Sequence, residues 1–392
     1  MPTSPPSPPA AADSHQTPKI FFSCTGVDIW RGGIETFFRE CFDNFRSVAG
    51  FDIQLFKGPG PEAPGEHRLW CLPRTGGPAK FLGRCMGRNA YVVEQLTSFF
   101  PLVRQIRAQR PDIVFTSDGN LLMQLFRRRR WIGVPFRLIY SNGAPVSPPF
   151  LHCDHVQEVT PFYFEQSIKA GEPPERHSMV PYGIRVPPGE AAVDAAAREQ
   201  VRRQLGLPAG RAIVISAGWI SPTHKRMDYV VREVAALPEP RPFLLLVGRM
   251  DASSQSVLSL ARELLGEANF AARSVPYEQM PRHYQASDLF VLASLTEGFG
   301  RVFLEALIEG LPCIAHDQAV MRYVLGDRET FVDMSRPGAL AGAMASALAR
   351  PTSPEAAAAR RNRIRATFSW EVLAPAYRDM FRACMANDLA DH

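Results

Sequence analysis

No stretch of the 392-residue chain strings together the 18 or more apolar residues that a membrane-spanning helix needs, which argues against such a helix. The first residues, MPTSPPSPPAAADSHQTP, have neither the basic start nor the apolar core of a secretory signal, so the seven cysteines are expected to stay reduced. Those cysteines (Cys24, Cys41, Cys71, Cys85, Cys153, Cys313 and Cys384) form no CxxC pair, which argues against both a zinc site and a disulfide framework. Several lie in apolar runs and read as small core residues. No Asp-x-Asp sequence occurs either. Neither sign of charge is in large excess: 44 Lys and Arg stand against 39 Asp and Glu, and a formal +5 gives no reason to invoke nucleic acid. What remains is the composition of a soluble globular protein, 46% hydrophobic and 21% charged, long enough for two domains.

The most informative stretch runs from Asp288 to Asp317, DLFVLASLTEGFGRVFLEALIEGLPCIAHD. An apolar run (Leu289 to Leu295), a glycine-bearing turn, a helix of about ten residues and a second apolar run (Pro312 to Ala315) predict a buried parallel βαβ unit. The turn Thr296-Glu297-Gly298-Phe299-Gly300 opens the helix. Backbone N–H groups from Gly298 to Arg301 then present its positive end, suited to a phosphate or a sugar oxygen. Gly298 and Gly300, lacking Cβ, let a ligand approach the backbone. Glu297 and Glu305 frame the turn, and both are expected to reach the crevice at the carboxyl end of the sheet. Ionised carboxylates there accept from the paired hydroxyls of a sugar or ribose. Either glutamate alone reads as a solvated charge; the pair, with the glycines between, reads as a site.

The rest of the chain alternates apolar runs with helical patterns. Residues 1 to 18, rich in Pro, Ser and Ala, are expected to be disordered. Lys19 to Cys24 predicts the first strand, leading through Trp30-Arg31-Gly32-Gly33-Ile34-Glu35 into a helix to about Phe45. Phe51 to Phe56 predicts the next strand; Lys57 to Gly87, dense in Gly, Pro and Arg, reads as a mobile loop. One helix is expected over Ala90 to about Gln109, then strands near 111–116, 137–141, 155–160 and 178–183. Pro187-Pro188-Gly189 marks a linker, and a helix from Asp194, a favourable N-cap, to Leu205 begins the second domain. Its strands are expected at 212–217, 242–248 and 270–275, with a last helix opened by Thr367 to Glu371. The run Arg127-Arg128-Arg129-Arg130-Trp131 has two readings: a solvated helix end, or contact with anionic lipid head groups.

Glu-x7-Glu enclosing Gly-Phe-Gly, followed by a helix and a Leu-Pro-Cys-Ile-Ala strand, resembles the donor site of retaining GT-B glycosyltransferases of family four. The likeness covers nearly all of residues 19–385 and is thinnest over 57–110. It implies an α/β fold of two Rossmann-like domains facing a cleft: an acceptor-binding domain over 19–187 and a nucleotide-sugar-binding domain over 188–366. A terminal helix, 367–392, is expected to cross back to the first domain. The implied activity is hexosyltransferase-like, in carbohydrate biosynthesis: transfer with retention from a nucleoside-diphosphate sugar, UDP- or GDP-type, to a hydroxyl on a sugar, a lipid-linked sugar or a small molecule. No metal or other cofactor is implied, and Asp-x-Asp, which this chain lacks, is the metal-diphosphate signature of the other large glycosyltransferase fold. The implied location is cytoplasmic, at the inner membrane face if Arg127 to Trp131 meets lipid.

Carried over by resemblance, Glu297 contacts the transferred sugar and Glu305 the ribose. Gly298, Phe299 and Gly300 form the donor turn, while Gly32 and Gly33 match a Gly-Gly-x-Glu turn facing the cleft. Lys225 matches a lysine that clamps the diphosphate, and Val275 and Tyr277 fall where backbone groups hold the base. Trp219 stands where the family has an arginine, which removes a fork of donors; Arg226 is the candidate to compensate, or the indole stacks on a donor group. Asn142 lies where many members place a histidine, and His152 and His155 follow as acceptor-side candidates against the ordinary reading of structural histidines. Rival readings are a nucleotide-sugar epimerase or hydrolase, a pyridoxal-phosphate-dependent glucan phosphorylase, and a non-catalytic sugar-nucleotide-binding protein.

Overall fold

Short apolar runs rich in Phe, Ile, Val and Leu become the strands of two all-parallel sheets, each buried on both faces by helices. The computed structural model describes residues 17–30, 32–46, 50–144, 146–189 and 195–386. In the first domain the strands are β1 (Lys19–Ser23), β2 (Asp52–Lys57), β3 (Glu66–Arg68), β4 (Ile113–Thr116), β5 (Arg137–Asn142), β6 (His155–Glu158) and β7 (His177–Met179), ordered 3-2-1-4-5-6-7. In the second they are β8 (Ile213–Ala217), β9 (Phe243–Val247), β10 (Phe270–Arg273), β11 (Leu289–Leu292), β12 (Cys313–His316) and β13 (Thr330–Val332), ordered 10-9-8-11-12-13. Both are doubly wound Rossmann-like sheets whose strand order reverses beside the first strand, so a crevice opens at the carboxyl ends there.

The alternation of side chains along β1 shows how the core is divided. Phe22 packs with Phe38, Phe115 and Phe381 on one face, and Phe21 with Phe56 on the other. The first of these clusters does not stop at the domain boundary: it runs through Tyr182 and Phe299 to Phe303 and Phe290 of the second domain. A shared apolar core holds the two sheets in a fixed relation.

The chain end ties them again. Helix Pro354–Phe368 lies on the second domain, where Arg360 pairs with Glu329 at 2.7 Å. At the crossing the Ile184 N–H donates to Phe368 O (2.9 Å), and helix Trp370–Ala386 returns to the first domain. There the Tyr377 hydroxyl donates to Pro181 O (2.9 Å) and accepts from Gln157 (3.0 Å).

Two expectations are corrected. Residues 57–87 are no loop: they hold β3 and helix Gly77–Cys85. Their charges have partners that composition does not reveal. Fully buried Lys57 is 2.5 Å from Glu66, Arg39 also pairs with Glu66, and Arg74 bonds Glu94 (2.6 Å) and Glu35 (3.2 Å). The single helix expected over 90–109 is broken at Ser98 into Ala90–Thr97 and Phe99–Gln109. Pro101 has no N–H for the Thr97 carbonyl and would clash with it in a continuous helix. The N-terminal tail through residue 16, Arg31, Pro145, Asp194 with its N-cap role, and residues 387–392 lie outside the described residues.

Candidate active site

The carboxyl ends of the two sheets enclose a cavity of about 690 Å³. Its floor is built by two loops of the second domain that depend on each other. Gly218, at φ +139°, follows β8, and Gly248, at φ +154°, follows β9; a Cβ on Gly248 would lie 1.6 Å from the Gly218 carbonyl oxygen. Only glycine fits there. The turn this allows carries Lys225 back over Gly218, and its ammonium lies 2.5 Å from Glu297 Oε1.

Glu297 is fixed at both ends. Its carbonyl accepts from the Tyr163 hydroxyl of the first domain (2.9 Å), and its carboxylate holds Lys225. A Cβ on the next residue, Gly298, would lie 2.1 Å from Gly143 O, so the two domains touch backbone to backbone at this turn. Burial pushes the Glu297 carboxyl up, but the Lys225 ammonium and its hydrogen bond outweigh it and hold the carboxyl below the usual range. His224 Nε2 is 3.6 Å away; burial lowers its pKa despite that carboxylate.

Gly300, at φ +75°, ends the turn and caps helix Arg301–Ile308 without a side-chain bond, and Gly32 does the same for helix Gly33–Phe45. Both N-termini border the cavity, so two sets of free amides and two positive dipole ends converge on it. A Cβ on Gly33 would meet no atom within 4 Å, whereas one on Gly32 would collide with the Glu35 carboxylate at 2.4 Å.

Glu305, one turn into its helix, lines the cavity and accepts from the Tyr284 hydroxyl (2.9 Å). Burial pushes its pKa up to about 7 against the pull of Arg301. Arg301 itself is buried and spans the domains: it pairs with Glu40 of helix Gly33–Phe45 at 3.0 Å and donates to Gly183 O. Glu40 also accepts from the Tyr277 hydroxyl (3.1 Å) and from the Trp370 indole N–H (3.1 Å). One carboxylate thereby joins the first domain, the second domain and the crossing helix.

Gly32, Gly33, Lys225, Val275, Tyr277, Glu297, Gly298, Phe299, Gly300 and Glu305 all line this one cavity. Four other candidates do not. Arg226, at φ +47°, turns away: its guanidinium donates to Met334 O (2.8 Å) and lies over the Tyr229 ring, bracing the loop. Asn142 is buried at the end of β5, where its amide donates to Glu158 (2.9 Å); its neighbours Gly143 and Ala144 border the cavity instead. His155 is the first residue of β6, at the end of a parallel strand remote from the cleft, with Nε2 2.8 Å from Ser178 Oγ. Burial lowers its pKa to about 4. His152 packs edge-on against Phe126.

Sequence reading missed Arg249 and Trp30. The Arg249 guanidinium is stacked between two indoles, 4.3 Å from the Trp30 ring of the first domain and 4.2 Å from the Trp219 ring of the second. All three line the cavity. Arg249 O accepts from the Ile220 N–H (2.9 Å), so this arginine is held beside the loop that carries Trp219. The available signal was local: a Gly-Arg pair straight after a strand, as Gly218-Trp219 follows β8. The Arg127 to Trp131 run ends helix Gly119–Arg127 and forms helix Arg129–Ile132. Within it Arg129 is consumed by buried Asp154 (2.7 Å), and Arg107 stacks over Trp131 at 4.3 Å.

Two parallel Rossmann-like sheets facing one cleft, with a last helix that crosses back, define the GT-B class of fold. Within it, residues 197–366 match the model of the family Glycosyl transferases group 1, and the chain resembles glycosyltransferase family four. Among relatives, the D-inositol 3-phosphate glycosyltransferase of Rhodococcus erythropolis is 31% identical over 202 residues, 48% of this chain and 45% of that one. The counterpart from Thermobispora bispora is 32% identical over 215 residues, 52% and 49% of the respective chains. The chain thus spans about half the length of the curated relatives it matches. In fold it is similar to sucrose-phosphate synthase from Thermosynechococcus elongatus, with a TM-score of 0.74 at 20% identity over 94% of this chain and 99% of that one. It is also similar to Anabaena HepE, solved in complex with UDP-glucose, with a TM-score of 0.72 at 15% identity over 94% and 100%.

Proposed function

We propose that the protein is a retaining glycosyltransferase that moves a sugar from a nucleoside-diphosphate sugar to an acceptor hydroxyl without a metal ion. The observation that carries this reading is the meeting, in one cavity, of the Lys225–Glu297 pair, Glu305 and two uncapped helix N-termini. The amide groups and Lys225 neutralise the diphosphate, Glu305 accepts from the ribose hydroxyls, and Val275 and Tyr277 flank the base. Arg249 takes the part for which Arg226 was the candidate. The Arg249 guanidinium opens on the cavity, and its carboxylate partner Asp251, at 2.9 Å, is exposed.

In the reaction the acceptor oxygen attacks the anomeric carbon from the face that the diphosphate leaves. The new C–O bond forms as the bond to the phosphate oxygen breaks, and that oxygen takes the acceptor's proton. Glu297, kept ionised by Lys225, orients the sugar and stabilises the positive charge that develops on it. UDP heads the list of donor nucleotides because the HepE structure holds UDP-glucose, and the D-inositol 3-phosphate glycosyltransferases place a polyol among the acceptors to try. Among the described residues no helix is long and apolar enough to cross a membrane.

NMR of the product made from an α-linked donor tests the reading. An α-linked product supports it; a β-linked product rules out retention. Donor cleaved without acceptor would point to a hydrolase, and binding without turnover to a non-catalytic protein.

A further inference from the structure

Helix Gly77–Cys85 is amphipathic in the wrong sense for a packed helix. The face that meets the protein consists of Ala79 and Gly83, four residues apart and both buried; Gly83 lies so close to the next segment that a Cβ would sit 2.8 Å from Arg88 O. The apolar residues are on the other side. Pro78, Phe81, Leu82, Cys85 and Met86 follow i, i+3, i+4, i+7, i+8 spacing, a single stripe, and all are exposed, Phe81 to 70% and Met86 to 47%. A stripe of that spacing marks the buried face of an ordinary surface helix, and here it points to solvent. Lys80 and Arg84, four apart, run beside it as an exposed basic edge, and Arg88, also exposed, follows just past the helix end. From His67 to Val93 there is no Asp or Glu at all, so nothing along this segment offsets that charge.

We propose that this helix is a docking element for an anionic lipid bilayer. An apolar stripe flanked by lysine and arginine is the pattern of a helix that lies in the plane of a membrane interface. The basic edge matches the phosphate of anionic head groups, whereas a second copy of this chain would bring the same positive charge against it. The helix is rigidly placed. Arg74, three residues before it, is anchored by the buried carboxylates of Glu94 (2.6 Å) and Glu35 (3.2 Å), and the intervening Thr75 borders the donor cavity. Resting on the transferase reading, this position brings a membrane-borne acceptor hydroxyl to the first-domain side of the cleft.

Cys85 supplies the probe, since the other six cysteines are buried. The full-length protein, labelled there with an environment-sensitive dye, is mixed with vesicles of phosphatidylcholine alone or with added phosphatidylglycerol, and sedimentation is measured in parallel. The expected result is a blue shift and co-sedimentation with the anionic vesicles only, weakened by salt. Phe81→Ser/Leu82→Ser, exposed changes that leave thermal stability unchanged, should lower the partition about tenfold or more, and Lys80→Glu/Arg84→Glu should abolish it. Trp131→Ser should leave it unchanged. Equal binding to neutral vesicles, no binding by the wild type, or loss of binding only in the Trp131 variant would overturn the proposal. So would a wild-type dimer in sedimentation velocity that Phe81→Ser/Leu82→Ser dissolves. Nucleotide binding, measured on the same variants without lipid, fails only if the transferase reading fails.

Discussion

The ammonium of Lys225 lies 2.5 Å from Glu297 Oε1, on loops that follow different strands and are brought together only by the closed turn at Gly218. Both groups are largely buried, so neither is served by water if its partner is lost. Lys225→Ala should therefore destabilise the protein by about 3 kcal/mol and raise the Glu297 pKa. Adding Glu297→Gln should recover most of the stability and none of the transfer activity. Thermal melts of the two variants and the double mutant check this, and simple additivity of the losses would count against a mutually dependent pair.

Arg249 is expected to bind phosphate, and Arg226 to brace a loop. Arg249→Gln should weaken a nucleoside diphosphate about tenfold or more in calorimetric titration while leaving the parent nucleoside almost unaffected. Arg226→Gln should lower the melting temperature and leave that ratio intact. The double change Trp219→Arg/Arg249→Gln should restore part of the diphosphate affinity.

Glu305 gives the cleft a pH dependence. Its pKa is raised from 4.5 to about 7, so it is protonated in the weakly acidic range, where it accepts poorly from ribose hydroxyls. Nucleotide affinity should fall about tenfold between pH 8 and pH 6. The stability effect has the opposite sign. A raised folded-state pKa stabilises below 4.5, and that contribution is lost as the pH climbs through 7. Glu305→Gln should then stabilise the free protein at pH 8 by on the order of 2 kcal/mol, with the gain vanishing toward pH 4.5. Melting temperatures across that range decide the sign.

Glu40 joins the two domains and the crossing helix by accepting from Arg301, Tyr277 and Trp370 at 3.0 to 3.1 Å. Glu40→Ala should cost about 3–5 kcal/mol, because it leaves the buried Arg301 unpaired. Glu40→Gln should cost less and should widen the temperature range over which the domains unfold, which calorimetry would resolve.

What the sequence made legible was what is local. Asp288 to Asp317 announces its strand, turn and helix within thirty residues by apolar runs and glycine positions, and Glu297 and Glu305 stand in one cavity. For Arg249 only the Gly-Arg pair after β9 was local; its place in the cleft comes from Trp30, more than two hundred residues earlier, and from a backbone hydrogen bond to Ile220. Residues 57–87 misled for the same reason: Arg74 and Lys57 look like loop charges until Glu94, Glu35 and Glu66 are seen around them. His155 misled because strand direction decides which end of a parallel strand meets ligand, and it begins β6. Asn142 does end β5 on the cleft side, but its side chain is spent on Glu158, a partner that nearness in sequence does not show.

The most direct measurement is calorimetric titration of the wild type and Glu305→Ala at pH 8 with UDP, GDP, ADP and TDP and their sugar conjugates. A donor site in this cleft predicts that one nucleotide series binds the wild type and that Glu305→Ala weakens it about tenfold or more. Absence of binding by every nucleotide, or equal binding by wild type and variant, would contradict a donor site built on the Glu297–Glu305 turn.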